Sequence, residues 1–133
     1  MKKIFALAVM TTSMTTLGAG ASFAGTVADA KAGYVVYENQ CAGCHSNQPG
    51  ADRFGPTLAG VYGRMSGTAP LHRYSPAMKA ANIVWNAKTL DAFLVNPRSD
   101  VHGTTMPYRG LAGAVARAYV VAYLKSISPS SKR

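Results

Sequence analysis

The five residues Cys41-Ala42-Gly43-Cys44-His45 constrain this chain more than any other feature of it. C-x-x-C-H is the attachment sequence for c-type haem. Two thiols three steps apart on a helical turn lie on one face, and each can add across one vinyl group of the porphyrin. His45 follows at once and can point its imidazole at the iron. One residue more or fewer would rotate one of these groups off the ring. The other chemistry open to such a pair is a simple disulfide or a thioredoxin-like redox couple. Thioredoxin-like sites follow a strand in a βαβ pattern, whereas residues 30–42 read as a helix. These are the chain's only two cysteines, so neither a disulfide-rich scaffold nor a four-cysteine zinc site is open to it.

Residues 1–24, MKKIFALAVMTTSMTTLGAGASFA, have the pattern of a secretory signal peptide. Lys2 and Lys3 form a positive start, Ile4–Met10 are apolar, and Ser22 and Ala24 put small residues at the −3 and −1 positions of a cut before Gly25. Ala19 and Ala21 are alternative cleavage residues. Read as a membrane anchor instead, the apolar run is short for a bilayer, and Thr and Ser dilute the residues after Met10. Removing the first 24 of the 133 residues leaves 109, and taking Lys2 and Lys3 from the formal +9 leaves +7. The expected organisation is therefore a signal peptide over 1–24 and one domain over 25–133. That domain can hold one modest core.

The mature chain reads as helices joined by long loops. Asp29 caps a helix from Ala30 to about Ala42. Ser75-Pro76 opens a short helix through Ala81, with serine as cap and proline at the first helical position. Asn86 caps a helix over Lys88–Leu94 that ends before Asn96-Pro97. Residues 98–110 read as irregular. The last helix, Ala112–Ser126, shows Val115, Tyr119/Val120, Tyr123/Leu124 and Ile127 at helical spacing. Between Ser46 and Ser75 the chain is rich in Gly, Pro, Asn, Ser and Thr. A loop that long implies function or a missing core component, and a haem ring can serve as that core. The sixth iron ligand must come from Met65, Met78, Met106, His72 or His102. Thioether sulfur suits an electron-transfer haem. Spacing favours Met106, in the irregular Gly103-Thr-Thr-Met-Pro107, over Met65 and Met78.

Taken in order, CAGCH, FGPTLAGVYGRMSGTAP, YSPAMKAANIVW, NPRSDVHGTTMPYRG and VVAYLK resemble class I cytochrome c, in particular the bacterial soluble relatives of mitochondrial cytochrome c. The resemblance spans about residues 29–127. It implies an all-α cytochrome c fold, helices and long loops wrapped around one covalently attached haem, with the N- and C-terminal helices crossing. Gly33 and Tyr37 match one side of that crossing, Val120 and Tyr123 the other. Cys41 and Cys44 would carry the thioether links. His45 would be the proximal iron ligand, and the Pro56 carbonyl would accept its other ring N–H. Met106 matches the distal ligand, and Arg64, Tyr74 and Trp85 match groups around the inner haem propionate.

The chain also departs from the mitochondrial pattern. Phe93 stands where a tyrosine bonds the methionine sulfur, Met78 where an asparagine belongs to a buried water network, and His102 where a proline is usual. Thr105, Ala112 and Gly113 replace lysines of the haem edge, leaving Arg98 and Arg109 as docking candidates.

The expected function is that of a monomeric periplasmic electron carrier and not an enzyme, since no substrate bond is made. Its partners would be a quinol–cytochrome c reductase, a terminal oxidase, a photosynthetic reaction centre or a periplasmic dehydrogenase, with at most transient contact with membrane complexes. A peroxidase would need an open iron and a polar distal group. A gas sensor would need a weak sixth ligand. Nucleic-acid binding, suggested by the charge alone, does not fit an exported protein.

Overall fold

The computed structural model describes residues 27–129; residues 1–24, expected from the sequence to be a signal peptide, lie outside the described residues. Among the described residues, five helices follow one another: α1 (Val27–Gln40), α2 (Pro76–Ala80), α3 (Ala87–Val95), α4 (Pro97–Asp100) and α5 (Ala114–Ser126). The only extended pairing among the described residues is an isolated bridge between Met65 and Val84. None of these helices is long and apolar enough to cross a membrane.

The helices start at the expected capping residues at α2 and α3 and depart from the expected bounds at α1 and α5. Ser75 Oγ accepts from Met78 N at 3.2 Å and Pro76 takes the first helical position of α2. At α3, Asn86 Oδ1 accepts from Lys88 N and Thr89 N, and Thr89 Oγ1 accepts from Asn86 N at 2.8 Å, a reciprocal box. Asp29 is not a cap. It lies inside the first turn of α1, where a carboxylate still favours the positive helix end. α1 stops at Gln40, and residues 41–45 form a tight turn with Cys44 N and His45 N both donating to Cys41 O. α5 begins at Ala114, two residues later than its periodicity suggests, because Ala112 and Gly113 belong to the preceding loop. The segment expected to be irregular contains α4, which Asn96 caps through Ser99 N at 3.2 Å.

α1 crosses α5 at Gly33. A Cβ added there would overlap Tyr119 O and come within 2.7 Å of Tyr123 Cβ, so only glycine admits this approach. Tyr37 and Tyr123 meet beside it, ring centroids 5.3 Å apart. The long loop is ordered by backbone bonds to 83–85: Gly63 N to Trp85 O, Trp85 N to Arg64 O and Ser66 N to Ile83 O. The core residues Val61, Met78, Trp85, Leu90, Phe93, Leu94, Val120 and Leu124 also line one shared hollow.

Candidate functional site: an apolar cavity behind a Cys-x-x-Cys-His turn

The hollow has a volume of about 300 Å³. Its lining is mostly apolar, which suits an apolar occupant.

Cys41, Cys44 and His45 lie together on its wall. Both thiols are free. Burial pushes the Cys41 thiol up to about 11, and the neighbouring Cys44 adds to the effect. A thiol held protonated is unlike the low-pKa cysteine of a redox dithiol and retains the S–H that adds across a vinyl bond.

His45 is held on three sides. Its Nδ1 lies 2.7 Å from Pro56 O, and because a carbonyl can only accept, Nδ1 carries the proton. Nε2 is then the lone-pair nitrogen available to a metal. Burial pushes the imidazole below its ordinary range, so the ring is neutral at pH 7. Tyr37 Oη donates to His45 O at 2.7 Å, fixing the backbone. A Cβ on Gly55 would stand 2.7 Å from Nδ1 and closer still to Cε1, so this glycine makes room for the ring.

Of the methionines, Met78 and Met106 line the cavity. Met65 does not: it is 42% exposed and engaged in the bridge to Val84. His102 is exposed and outside the cavity lining. Phe93 is buried against Trp85, ring centroids 5.0 Å apart.

Arg64, Tyr74 and Trp85 come together on the same lining. Arg64 donates through Nη1 to Ala59 O at 3.3 Å and through Nη2 to Thr57 O at 3.1 Å. Its Nε is buried without a partner. Burial raises the Tyr74 phenol, opposed by the nearby Arg64 charge. A buried cation with an unused donor, beside a phenol, is the environment an anionic group requires. A large apolar ring bearing carboxylates, with vinyl groups for two thiols and a metal for an imidazole, fits every wall of this cavity.

Sequence reasoning weighed His72 only as an iron ligand, and it missed two other contributors. His72 lines the cavity, packs edge-on to Tyr74 and lies 3.7 Å from Asp52 Oδ2. Gly55 and the Tyr108–Gln40 bond at 3.0 Å also contribute. None has a local motif.

The fold and site define a helical haem protein of the Cys-x-x-Cys-His type. The family model for cytochrome c matches residues 30–128. The chain is 43% identical over 99 residues to cytochrome c of Euglena viridis, covering 74% of this chain and 97% of that one. It is 42% identical over 108 residues to cytochrome c of Guizotia abyssinica, covering 80% and 97%. Among solved structures it is similar to cytochrome cH from Methylobacterium extorquens, with a TM-score of 0.69, 32% identity and coverage of 74% and 98%.

The chain belongs to the cytochrome c family. Proteins of this family are electron carriers that exchange electrons with other redox proteins, and they bind haem c covalently; Cys41 and Cys44 of this chain fit the attachment motif.

Proposed function

We propose that this chain is an exported, periplasmic, monomeric one-electron carrier, not an enzyme, in which His45 and Met106 are the axial ligands of a single haem c. Cys41 and Cys44 form the thioether links. Residues 1–24 act as the signal peptide and 25–133 as the cytochrome domain. The observation that carries the reading is that the His45 imidazole and the Met106 side chain line one cavity whose remaining walls are mostly apolar. When bound, haem supplies an Fe(III)/Fe(II) couple, and thioether ligation in an apolar pocket favours Fe(II).

The chain's own residues do the rest. Pro56 O holds the Nδ1 proton of His45 and so sets the ring's orientation and basicity. Arg64 and Tyr74, with Trp85 beside them, receive the inner propionate. Partly buried Met106 and the apolar walls keep water from the metal. Nothing needs to move a proton during transfer, so a carrier built this way reorganises little.

Donor and acceptor are drawn from quinol–cytochrome c reductase, terminal oxidase, reaction centre or periplasmic dehydrogenase. Arg98 and Arg109 are both exposed, flank the Met106 loop in sequence and suit an acidic partner. Export and the lack of any need for a polyanion argue against nucleic acid.

The test is optical. Oxidised wild-type protein should show the weak near-infrared sulfur-to-iron band and bind carbon monoxide poorly when reduced. Met106→Ala should abolish the band and admit the gas. Loss of the band in Met78→Ala, with Met106→Ala unaffected, would overturn the ligand assignment. Recovery of the mature protein from the periplasmic fraction, beginning at Gly25, tests export.

A further inference from the structure

The loop that carries Met106 is fastened unevenly. On its N-terminal side, Thr104 N donates to Val101 O at 3.0 Å and Met106 N to Thr104 Oγ1 at 3.3 Å. Among the described residues, the hydrogen bonds of 102–107 all stay within residues 101–106. Buried Val101 anchors the N-terminal side by packing, but every hydrogen bond from the loop to the rest of the molecule, among the described residues, is on the C-terminal side. Leu111 N donates to Leu94 O at 2.7 Å. Gly110, at φ +113°, lies so close to Val95 O that an added Cβ would overlap it. Tyr108 Oη donates to Gln40 Oε1.

One side chain gathers this stem. Arg117 of α5 donates from Nη1 to Leu111 O and to Ala112 O, both at 2.8 Å. Its Nε donates to Asp91 Oδ1 of α3 at 2.7 Å. The Arg117 side chain is only 11% exposed. A charged, partly desolvated guanidinium makes strong hydrogen bonds, and its rigid fork reaches two carbonyls and a carboxylate at once, which a lysine cannot.

We infer that Arg117 is a positioning residue for the iron ligand: braced by Asp91, it clamps the Leu111–Ala112 stem and thereby holds Met106 against the haem. The inference rests on the assignment of Met106 as ligand. Without the clamp, the loop has only its weaker stem ties and its internal bonds, and the state with Met106 released gains population. An added ligand that binds only the released state then binds more tightly by the same factor.

The probe is imidazole, titrated into oxidised holoprotein and followed by the near-infrared band. Arg117→Met should tighten apparent imidazole binding by about tenfold, the scale of one lost charge-assisted hydrogen bond. Asp91→Asn, a milder change at a half-exposed carboxylate, should tighten it by about threefold, and Arg117→Lys should not restore wild-type behaviour. Val121→Ala is the control, because Val121 is buried in α5 but does not line the cavity. It should lower the unfolding midpoint without changing imidazole affinity. If the band survives in Met106→Ala, the ligand assignment fails and this inference falls with it. If Met106→Ala abolishes the band, but the Arg117 and Asp91 variants bind imidazole no tighter than Val121→Ala, the ligand assignment stands and the clamp alone is refuted.

Discussion

Gly55→Ala and Gly43→Ala make the same chemical change on opposite sides of His45, and their outcomes should diverge. A methyl group on Gly55 would stand 2.7 Å from His45 Nδ1 and 3.0 Å from Nε2, against about 3.4 Å for an ordinary contact. Because Cε1 would be closer still, the ring or the loop must yield by about 1 Å. If the ring yields, the 2.7 Å bond to Pro56 O is stretched beyond useful length. If the loop yields, Gly55 N leaves Cys44 O, now 2.8 Å away. Overpacking costs about 1–3 kcal/mol and the lost hydrogen bond about 1 kcal/mol. The sum, about 2–4 kcal/mol, should lower the thermal midpoint of a domain this size by at least about 8 °C. A His45 that no longer donates to Pro56 is a less basic ligand and stabilises Fe(III) less, so the reduction potential should rise. Gly43 is exposed and a methyl group there meets nothing within 4 Å. Its replacement should change stability by no more than about 0.5 kcal/mol. Differential scanning calorimetry and redox potentiometry on both holoproteins decide the matter. A Gly55→Ala protein that matches Gly43→Ala in midpoint and potential would refute the steric account of His45.

Two further outcomes come from the charges. Burial raises the Tyr37 phenol, so on alkalinisation the unfolded chain loses its tyrosine proton first, near pH 10. Stability is therefore full below that pH and falls as pH rises through it; the urea midpoint should drop less steeply in Tyr37→Phe, and equal slopes would remove the phenol from the account. Arg98 and Arg109 should steer encounter with an acidic redox partner, so the bimolecular rate should fall as salt rises, charges being largely screened beyond about 8–10 Å. The double variant Arg98→Glu/Arg109→Glu should slow the rate and flatten its salt slope with the spectrum unchanged, whereas full activity in that variant would point to apolar docking.

The parts of the fold legible in the sequence are those fixed by short-range chemistry. Ser75-Pro76 and Asn86-x-x-Thr89 each carry their helix start within four residues, and both starts are where the pattern puts them. Asn96-Pro97 reads as a stop for α3. The same two residues also start α4, because an Asn side chain can cap forward while its backbone ends the preceding helix. Asp29 illustrates the reverse error. An acidic residue suits a first turn as well as a cap, and nothing local tells the two apart.

The site divides along the same line. Cys41, Cys44 and His45 act within five residues, so spacing alone reveals their chemistry. Gly55 works by what it omits, and its meaning appears only when the loop returns it to a ring ten positions back. Tyr108 and Gln40 are 68 residues apart. Nothing local marks Arg117, yet its side chain is only 11% exposed and meets Asp91 across 26 residues. The core is obscured for a related reason. Val61, Leu90, Leu94, Val120 and Leu124 face a central cavity as well as one another. Packing around a flat ring also places apolar residues where loops deliver them, such as Val61 in the long loop, while α3 (Leu90, Phe93, Leu94) and α5 (Val120, Tyr123, Leu124) keep a helical repeat. The chain's apolar pattern is thus arranged around its cofactor, and for that reason the five-residue attachment motif carries more information about this fold than the periodicity of its helices.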